Sequence, residues 1–416
     1  MCTAFAAGIS GVAATPAGAA LTRGAATTVQ GTTRLLSADG VPNRSGTVAH
    51  RDQRVLVAGS RTYPLTGTAV PVNASVRISG RMGSDGLAVA SAQTLGSAPG
   101  IPATGTTQVL LMLAQWTAPD QVTRAKAHQQ MFSDTNAWFR NASYNKLGQS
   151  GDVTPWMKIA GPADQKCFAD SGSIMSQAKA GATARGYDLT RYTNFVVYFP
   201  RVTDPASDCS GYSGWGYIGA AGVWLNGYLD RRTTVHEQGH NYGLLHGHSY
   251  FCSGVIAGSC SFSDYGDDYD AMGSSGYVGH FNAAEKATLG WMTGRKVTVS
   301  AGSSVTIAPL EAAERTVQAA VLQVTAARSY WLEYRQQIGA DSNLPAAATD
   351  GVLVHVRDSS ISGDTGSSLL DMRPRQGELA DTATLLPGTS WTSPEGYRLT
   401  AGKATAAGIA VSVARV

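Results

Sequence analysis

The chain has 416 residues, of which only 15% are charged, and its formal net charge is +3. This length predicts two or three domains, each with its own core. The charge is small and no basic run concentrates it, which argues against nucleic acid as a partner. After residue 22 no stretch offers the ~20 consecutive apolar residues of a membrane-spanning helix, so we expect no membrane span, and we expect a monomer.

Residues 1–26 form a candidate leader. Met1 to Thr22 carry no charge and are rich in alanine and glycine, with small residues at Ala17 to Ala20 that suit signal cleavage. No basic residue precedes the apolar stretch, so a truncated signal peptide and a disordered leader both fit. We predict export, and the composition, rich in alanine, glycine and threonine, suggests a bacterial source.

Residues 27–97 are predicted to form a small β-barrel. Short apolar or alternating runs such as Val55–Val57, Val76–Gly80 and Leu87–Ala90 are separated by Gly, Asp, Asn and Pro turns. The proline- and glycine-rich residues 98–106 then form a predicted linker, where proteolytic processing is also plausible.

Residues 107–295 are predicted to form a mixed α/β domain. An apolar strand surrounds Leu110, residues 120–139 have helical character, a second helix is expected over 174–185, and a strand follows over 194–199. Strands that alternate with helices in this way predict a mixed sheet with helical connections.

Three histidines and a glutamate share the eleven-residue segment His-Glu-Gln-Gly-His-Asn-Tyr-Gly-Leu-Leu-His. On a helix, His236 and His240 lie one turn apart on the same face, so both can direct a ring nitrogen at one metal ion. Gly243 can take the left-handed conformation that ends the helix and lets His246 reach the same ion. Zinc with three protein ligands keeps a fourth position open for water, from which Glu237 can remove a proton. The third histidine and the glycine argue against a chance run of histidines.

This segment resembles the His-Glu-x-x-His-x-x-Gly-x-x-His signature of the metzincin zinc metalloproteases. That family also has a Met-turn, and Asp270-Ala271-Met272-Gly273 follows about 26 residues after His246. The resemblance implies that Met272 packs beneath the metal without binding it, whereas an ordinary core methionine is the alternative. Some metzincins place a tyrosine ligand two residues after the methionine, and here that position is Ser274.

The wider context is similar to the gametolysin-like peptidases and their bacterial relatives over roughly residues 107–295. The strings that carry this similarity occur in the expected order and include Val109–Leu113, Phe195–Pro200, His280–Ala283 and Lys286–Trp291. The implied fold class is an α/β (α+β) metzincin-type protease domain with a mixed twisted sheet and a zinc helix. The small N-terminal β-barrel and a C-terminal antiparallel β-domain would flank it.

The resemblance further implies a sheet edge above the zinc, along which substrate adds as an extra strand. The run Gly219-Ala220-Ala221-Gly222 is the predicted edge, because small residues permit close approach; a loop without substrate contact is the alternative. Residues 27–97 then become a possible pro-domain that assists folding or blocks the cleft, although a plain accessory domain fits equally. Asp39, Asp52 or Asp85 could plug the metal site, and the sequence does not select among them.

Five cysteines leave an even set of four if Cys2 is removed with the leader. In an exported protein we expect them to form disulfides, with Cys252 to Cys260 and Cys167 to Cys209 as the proposed pairs out of three possible connectivities. The alternative is reduced, buried cysteine in a cytosolic protein. The sequence therefore favours a disulfide-bonded secreted enzyme.

Four aspartates before the Met-turn offer oxygen ligands that could bind Ca²⁺. They are Asp264, Asp267, Asp268 and Asp270. A solvated loop is the favoured alternative, because their spacing matches no calcium-binding loop. Among the other histidines, His248 and His280 could steady an oxyanion or simply pack near the site, and His128 is expected to pack on its helix.

Residues 296–416 are predicted to form a β-sandwich-like antiparallel domain, because several short runs of β-branched and aromatic residues follow one another. No motif in this range indicates catalysis. Its role could be a substrate exosite, stability or attachment to the cell wall.

We therefore predict a secreted zinc endopeptidase, made as a zymogen, that cleaves proteins, possible substrates being extracellular or cell-wall proteins. One Zn²⁺ would be bound by His236, His240 and His246, with Glu237 activating water. A non-catalytic surface or adhesion protein that retains the metzincin fold is one alternative, but Glu237 and an open fourth metal position argue against it. Hydrolysis of a non-peptide amide is another, which a cleft for a long extended chain would disfavour.

Overall fold

Three β-sheets with eleven, seven and four strands dominate the described part of the chain. The structure is a computed structural model, and it describes residues 23–40, 50–59, 61–252, 260–274, 278–360, 366–374 and 382–416. Within these residues no helix is long and apolar enough to cross a membrane. The predicted leader, with Cys2, falls almost entirely outside them.

The eleven-stranded sheet runs through the first half of the chain. Its strands are β1 (Ala26–Gly40), β2 (His50–Ala58), β3 (Arg61–Gly67), β4 (Ala74–Met82), β5 (Leu87–Ser97), β6 (Gly105–Gln115), β7 (Leu147–Val153), β8 (Met157–Lys158), β9 (Asn194–Phe199), β10 (Tyr212–Tyr217) and β11 (Val223–Asn226). Their order across the sheet is β2-β3-β5-β4-β1-β10-β11-β9-β6-β7, with β8 paired to β6.

Strands β1 to β5 pair in a closed ring, in the range where the sequence predicts a small β-barrel. Strand β1 pairs with both β2 and β4, and β3 and β5 complete the circle between those two strands. Apolar side chains fill the interior, among them Val29, Leu56, Val76 and Ile78. From Leu36 to Asp39, strand β1 pairs with β2 on one side and with β10 on the other, so one strand belongs both to the ring and to the central sheet.

Parallel strands β6, β7, β9 and β11 form the centre of the sheet, and β10 runs antiparallel to β11. Between β6 and β7 lie α1 (Arg124–His128), a π-helical segment (Gln129–Thr135) and α2 (Asn136–Ala142), and α3 (Ser171–Thr183) precedes β9. Strand β9 has the predicted bounds. The first helical region begins later than predicted, because the Thr123 side chain caps it by accepting from the Lys126 amide.

The irregular segment before the central sheet is shorter than the predicted linker of residues 98–106. Strand β5 ends at Ser97 and β6 begins at Gly105. Gly105 and Thr106 already pair with the first residues of β7. The linker is therefore residues 98–104, and most of its residues are exposed or half-buried.

The described residues of the second half form three α-helices, a short 3₁₀ helix (Gly339–Asp341) and two smaller sheets. The helices are α4 (Arg231–Asn241), α5 (Ala283–Thr288) and α6 (Ala346–Thr349), and the strands are β12 (Gly247–Cys252), β13 (Cys260–Ser263), β14 (Lys296–Val299), β15 (Ser304–Ile307), β16 (Ala319–Gln323), β17 (Arg328–Tyr334), β18 (Val352–Asp358), β19 (Ser367–Leu370), β20 (Ser390–Thr392), β21 (Tyr397–Thr405) and β22 (Gly408–Arg415). The sheet orders are β13-β12-β19-β18-β17-β16-β14 and β15-β22-β21-β20. Apolar residues of the two sheets, such as Leu332 and Leu399, share one core.

The domain boundary predicted at residues 295 and 296 does not coincide with a division in the structure. Strand β12 directly follows His246, yet it pairs in parallel with β19 of the C-terminal region. A strand leaves its backbone groups unpaired unless it joins a sheet, and β12 finds its partners there. The parallel pairs β12–β19 and β14–β16 also make this sheet mixed rather than purely antiparallel.

A buried arginine strengthens this connection. Arg335, which is 1% exposed, forms ion pairs with Glu333 and Asp341. Its guanidinium also donates to the carbonyl oxygens of Tyr269 and His280, on either side of the Met-turn. The C-terminal sheet therefore holds the segment that packs below helix α4.

The disulfide predicted between Cys167 and Cys209 is confirmed. Cys252 and Cys260 oppose each other in the backbone register of β12 and β13. Their side chains lie outside the described residues, so the second predicted bridge stays a prediction.

Candidate metal centre

Helix α4 carries the first two histidines of the predicted metal site. Asp230 caps the helix by accepting from the Thr233 amide at 2.8 Å. His236, Glu237 and His240 are all almost completely buried. Buried imidazoles and a buried carboxylate so close together require polar or ionic partners.

Two backbone carbonyls orient the histidines of α4. His236 Nδ1 donates to the Ala271 carbonyl oxygen at 2.8 Å, and His240 Nδ1 donates to the Leu244 carbonyl oxygen at 2.9 Å. A carbonyl can only accept, so each Nδ1 carries the proton and each Nε2 offers a lone pair. Burial lowers the pKa of His236 to about 4 despite the opposing charge of Asp39, so this imidazole is neutral and able to bind a metal ion.

Gly243 brings the third histidine close to the ring nitrogens of His236 and His240. Its φ of +98° is the positive value that the sequence predicts. The Leu244 amide donates to the Gly239 carbonyl at 3.1 Å, which ends the helix and reverses the chain. His246 Nε2 then lies 3.2 Å from His240 Nε2.

Met272 packs against Gly239 of helix α4. It is completely buried, and a Cβ added at Gly239 would overlap its sulfur. The Asp270 side chain accepts from the Met272 amide at 2.7 Å and forms the turn. Ser274 donates to Asp268, so it faces the acidic loop, which is the segment 264–270 with its four aspartates.

A fourth side chain completes the cluster from the other end of the sequence. Asp39 Oδ2 lies 3.4 Å from Nε2 of both His236 and His240, and Asp39 Oδ1 lies 3.1 Å from Nε2 of His246. These four residues form one buried group able to hold a metal ion. Of the three aspartates that the sequence offers, Asp39 is in the site, whereas Asp52 contacts His50 and is 43% exposed.

The spacing of the four residues fits a tetrahedral metal ion. Ligands at about 2.0–2.1 Å from zinc in tetrahedral geometry lie about 3.3–3.4 Å from one another. The measured separations of 3.1 to 3.4 Å are close to this value. His236 Nε2 and Asp39 Oδ2 are also buried without a hydrogen-bond partner, a need that a shared cation would satisfy.

Two residues near Asp39 were not found by sequence reasoning. The Tyr265 hydroxyl donates to Asp39 Oδ1 and contacts His50 Nδ1 at 2.7 Å. The Tyr265 ring also packs on the His246 ring, with centroids 4.0 Å apart. No local pattern marks either residue, since the Tyr265–Asp39 contact joins positions 226 residues apart.

Glu237 and Asp39 influence each other's charge. Burial, and then the Asp39 carboxylate, raises the pKa of Glu237 well above its ordinary value. Burial also tends to raise the pKa of Asp39, but His236 and His246 outweigh it and hold this pKa well below the usual value. Withdrawal of the Asp39 carboxylate from the site would remove one of the two largest causes that raise the pKa of Glu237.

The other candidate residues do not join the cluster. His280 contacts Asn141 and Lys286 at 2.8 and 2.7 Å, and His128 packs on Phe132. His248 lies beside the site, where it pairs with Asp264 at 3.0 Å.

The acidic loop gives a Ca²⁺ site no support. Asp267 pairs with His355, Asp268 accepts from Ser274, and Asp270 accepts from the amides of Met272 and Asn282. Among the described residues, the four aspartates form no shared group able to hold a cation.

The glycine-rich segment Gly219-Ala220-Ala221-Gly222 is a turn and not the extended edge that we expected. Gly219 and Gly222 have φ values of +68° and +137°, which reverse the chain between β10 and β11. Strand β11 then lies inside the sheet between β9 and β10. The last strand of the central sheet is β10, and β1 pairs with its outer side.

Strand β10 lies directly against Glu237. A Cβ added at Gly214 would come within 2.7 Å of Glu237 Oε1, and one at Gly216 would come within 2.8 Å of the Glu237 carbonyl oxygen. The two glycines therefore allow the strand to approach the helix closely. Trp215 between them is completely buried in the core.

Three imidazoles and two carboxylates thus define a buried site of the kind used by metal-dependent hydrolases. Residues 107–371 match the model of a family described as gametolysin peptidase M11. Since the match covers more than half of the chain, the protein belongs to the gametolysin peptidase family. The match begins at the predicted start of the catalytic region and continues past residue 295 through β19, in agreement with the shared sheet. A comparison with curated proteins gave no significant match.

Proposed function

We propose that this chain is a secreted zinc endopeptidase of the metzincin type, with His236, His240 and His246 as ligands. The observation that carries the proposal is the convergence of the three ring nitrogens next to Glu237 and strand β10. The family assignment supports peptide-bond hydrolysis. The Cys167–Cys209 disulfide supports secretion, because such bonds persist mainly in oxidising compartments.

Held by His236, His240 and His246, a zinc ion would polarise the substrate carbonyl and lower the pKa of water to about 7. Glu237 accepts the proton of the attacking water and passes it to the departing amine. The main-chain groups of β10 hold an extended substrate as an added strand. Gly214 and Gly216 keep that strand close to the Glu237 carboxylate.

A non-catalytic metal site is the second candidate, and one observation favours it. Structural zinc sites are normally closed by four protein ligands, and Asp39 provides a fourth side chain here. The two candidates differ in what happens when Asp39 is withdrawn: a catalytic site gains activity, and a structural site loses its metal.

The proposal is tested by casein hydrolysis with the intact protein and with protein cut in the linker at residues 98–104. We expect the cut, N-terminally released form to cleave casein, to lose activity with a chelator and to regain it with zinc. Glu237→Ala should lower kcat by about 10²–10⁴-fold with zinc content unchanged. Casein cleavage by Glu237→Ala at the wild-type rate would refute the mechanism, and a released form that loses zinc would favour the structural site.

A further inference from the structure

The outer side of β10 is already paired with a strand of the same chain. Leu36 to Asp39 of β1 face residues 217 to 214 of β10 in antiparallel register, with a bulge between Asp39 and Gly40. The position that a bound peptide would take along this strand is therefore filled. Asp39 lies opposite Gly214, the glycine at which an added Cβ would meet Glu237.

The Asp39 carboxylate, next to this bulge, lies in the metal cluster. Asp39 is 2% exposed and lies within 3.4 Å of all three histidine nitrogens. Burying an ionised carboxylate costs several kcal/mol unless opposite charge compensates it. A divalent cation held by the three imidazoles would supply that opposite charge.

Several contacts hold β1 in this position. The Tyr265 hydroxyl donates to Asp39 Oδ1, and the Ser213 hydroxyl donates to the Asp39 carbonyl at 2.8 Å. The Ile218 amide donates to the Leu35 carbonyl at 2.9 Å. Leu36 and Ala38 also pack into the core of the central sheet. The contact is thus built from main chain, side chains and apolar surface together.

We propose that residues 26–97 are an inhibitory domain of this same protein, in which Asp39 is the fourth metal ligand and β1 occupies the substrate strand position. This inference rests on the proposed zinc peptidase function. One strand then has two separable effects. Asp39 prevents water from binding the metal, and β1 prevents substrate from pairing with β10. Cleavage in the linker and departure of β1 would remove both.

The two effects are separated by a small metal-binding probe. Acetohydroxamic acid needs access to the metal but not to β10, so it reports on Asp39 alone. The full chain is prepared as wild type, Asp39→Ala and the near-isosteric Asp39→Asn, each loaded with Co²⁺, whose visible spectrum reports coordination. Asp52→Ala is the matched control, because Asp52 belongs to the same domain and faces solvent beside His50.

We expect acetohydroxamic acid to change the Co²⁺ spectrum of both Asp39 variants at concentrations at least about 100-fold lower than for wild type and Asp52→Ala, because an attached ligand competes at high effective concentration. Both Asp39 variants in the uncut chain should still fail to cleave casein, since β1 covers β10. Circular dichroism and thermal unfolding verify that each variant is folded.

Equal probe affinity in wild type and in a folded Asp39 variant would overturn the inhibitory role of Asp39, while the released enzyme could still be an active peptidase. Rapid casein cleavage by uncut wild type would overturn the blocking role of β1. Failure of every form to bind Co²⁺ or Zn²⁺ would overturn the proposed function itself and this inference with it.

Discussion

Gly239, in the middle of helix α4, lies directly against the sulfur of Met272, and an added Cβ would overlap that atom. The same Cβ would approach Phe281 Cζ to 3.2 Å. The glycine between the two helical ligands is therefore required by packing and not by backbone conformation.

We expect Gly239→Ala to lower the free energy of unfolding by about 1–3 kcal/mol. This result would oppose helix propensity, which by itself favours alanine by about 1 kcal/mol. Urea denaturation measures the change. In a double-mutant cycle, Met272→Ala should relieve part of the loss, whereas strict additivity of the two substitutions would contradict the packing explanation.

Gly214→Ala should impair catalysis more than folding. The added Cβ meets Glu237 Oε1 at 2.7 Å and displaces the carboxylate. A shift of about 1 Å in a catalytic group can cost ~10²-fold in rate, so kcat of the linker-cleaved enzyme should fall about 10- to 100-fold with zinc content unchanged. Gly211→Ala is the matched control, because a Cβ there meets nothing within 4 Å. Equal kcat values for the two variants would exclude this role of Gly214.

Stability should fall as pH rises through the titration of a buried carboxyl pair. Burial, and then Asp270, raises the pKa of Glu285 well above its ordinary value, and burial, and then Asp267, raises the pKa of Asp270 to about 7. Between about pH 5 and pH 7 the folded chain therefore binds more protons than the unfolded chain, so the free energy of unfolding decreases with pH.

Glu285→Gln removes the proton binding of one partner while keeping a polar side chain. Its stability relative to wild type, measured by thermal unfolding, should improve steadily from pH 5 to pH 7. Glu314→Gln changes an exposed glutamate and serves as the control. A difference between Glu285→Gln and wild type that does not vary with pH would show that the pair is not protonated.

Loss of the disulfide should destabilise the region that precedes β10. Cys167 and Cys209 are 42 residues apart, and the chain-entropy relation gives about 4 kcal/mol for a loop of this size. Cys167→Ala/Cys209→Ala should lower the free energy of unfolding by about 3–4 kcal/mol in guanidinium denaturation. Non-reducing peptide mapping that joined Cys167 to another cysteine would contradict the pairing.

The sequence predicts the metal ligands well because the information is local. His236 and His240 depend only on helical spacing, and His246 depends on one glycine with positive φ. Strand β9 and the helices around it follow from short runs of apolar residues in the same way. These features need no knowledge of the distant chain.

The sequence does not single out Asp39, Tyr265 or His50. The contacts among these three side chains depend on strand pairing between segments that are far apart in the chain. The register of β1 on β10 decides that Asp39 enters the cluster, while Asp52 and Asp85 do not. The glycine-rich run at 219–222 was misassigned for a related reason. Glycine serves both turns and close approaches, and here the turn is at Gly219 while the close approach is at Gly214.

The pairing of Gly247 with Ser367 has a consequence for the order of events during protein synthesis. Gly247 directly follows the third histidine, and its strand finds one of its two neighbours about 120 residues later in the chain. Domains fold as their residues emerge from the ribosome, with N-terminal parts first. The ring of β1 to β5 is complete long before β19 has been translated, so a nascent or prematurely terminated chain carries the strand with Asp39 before it can assemble the full support of the histidine site.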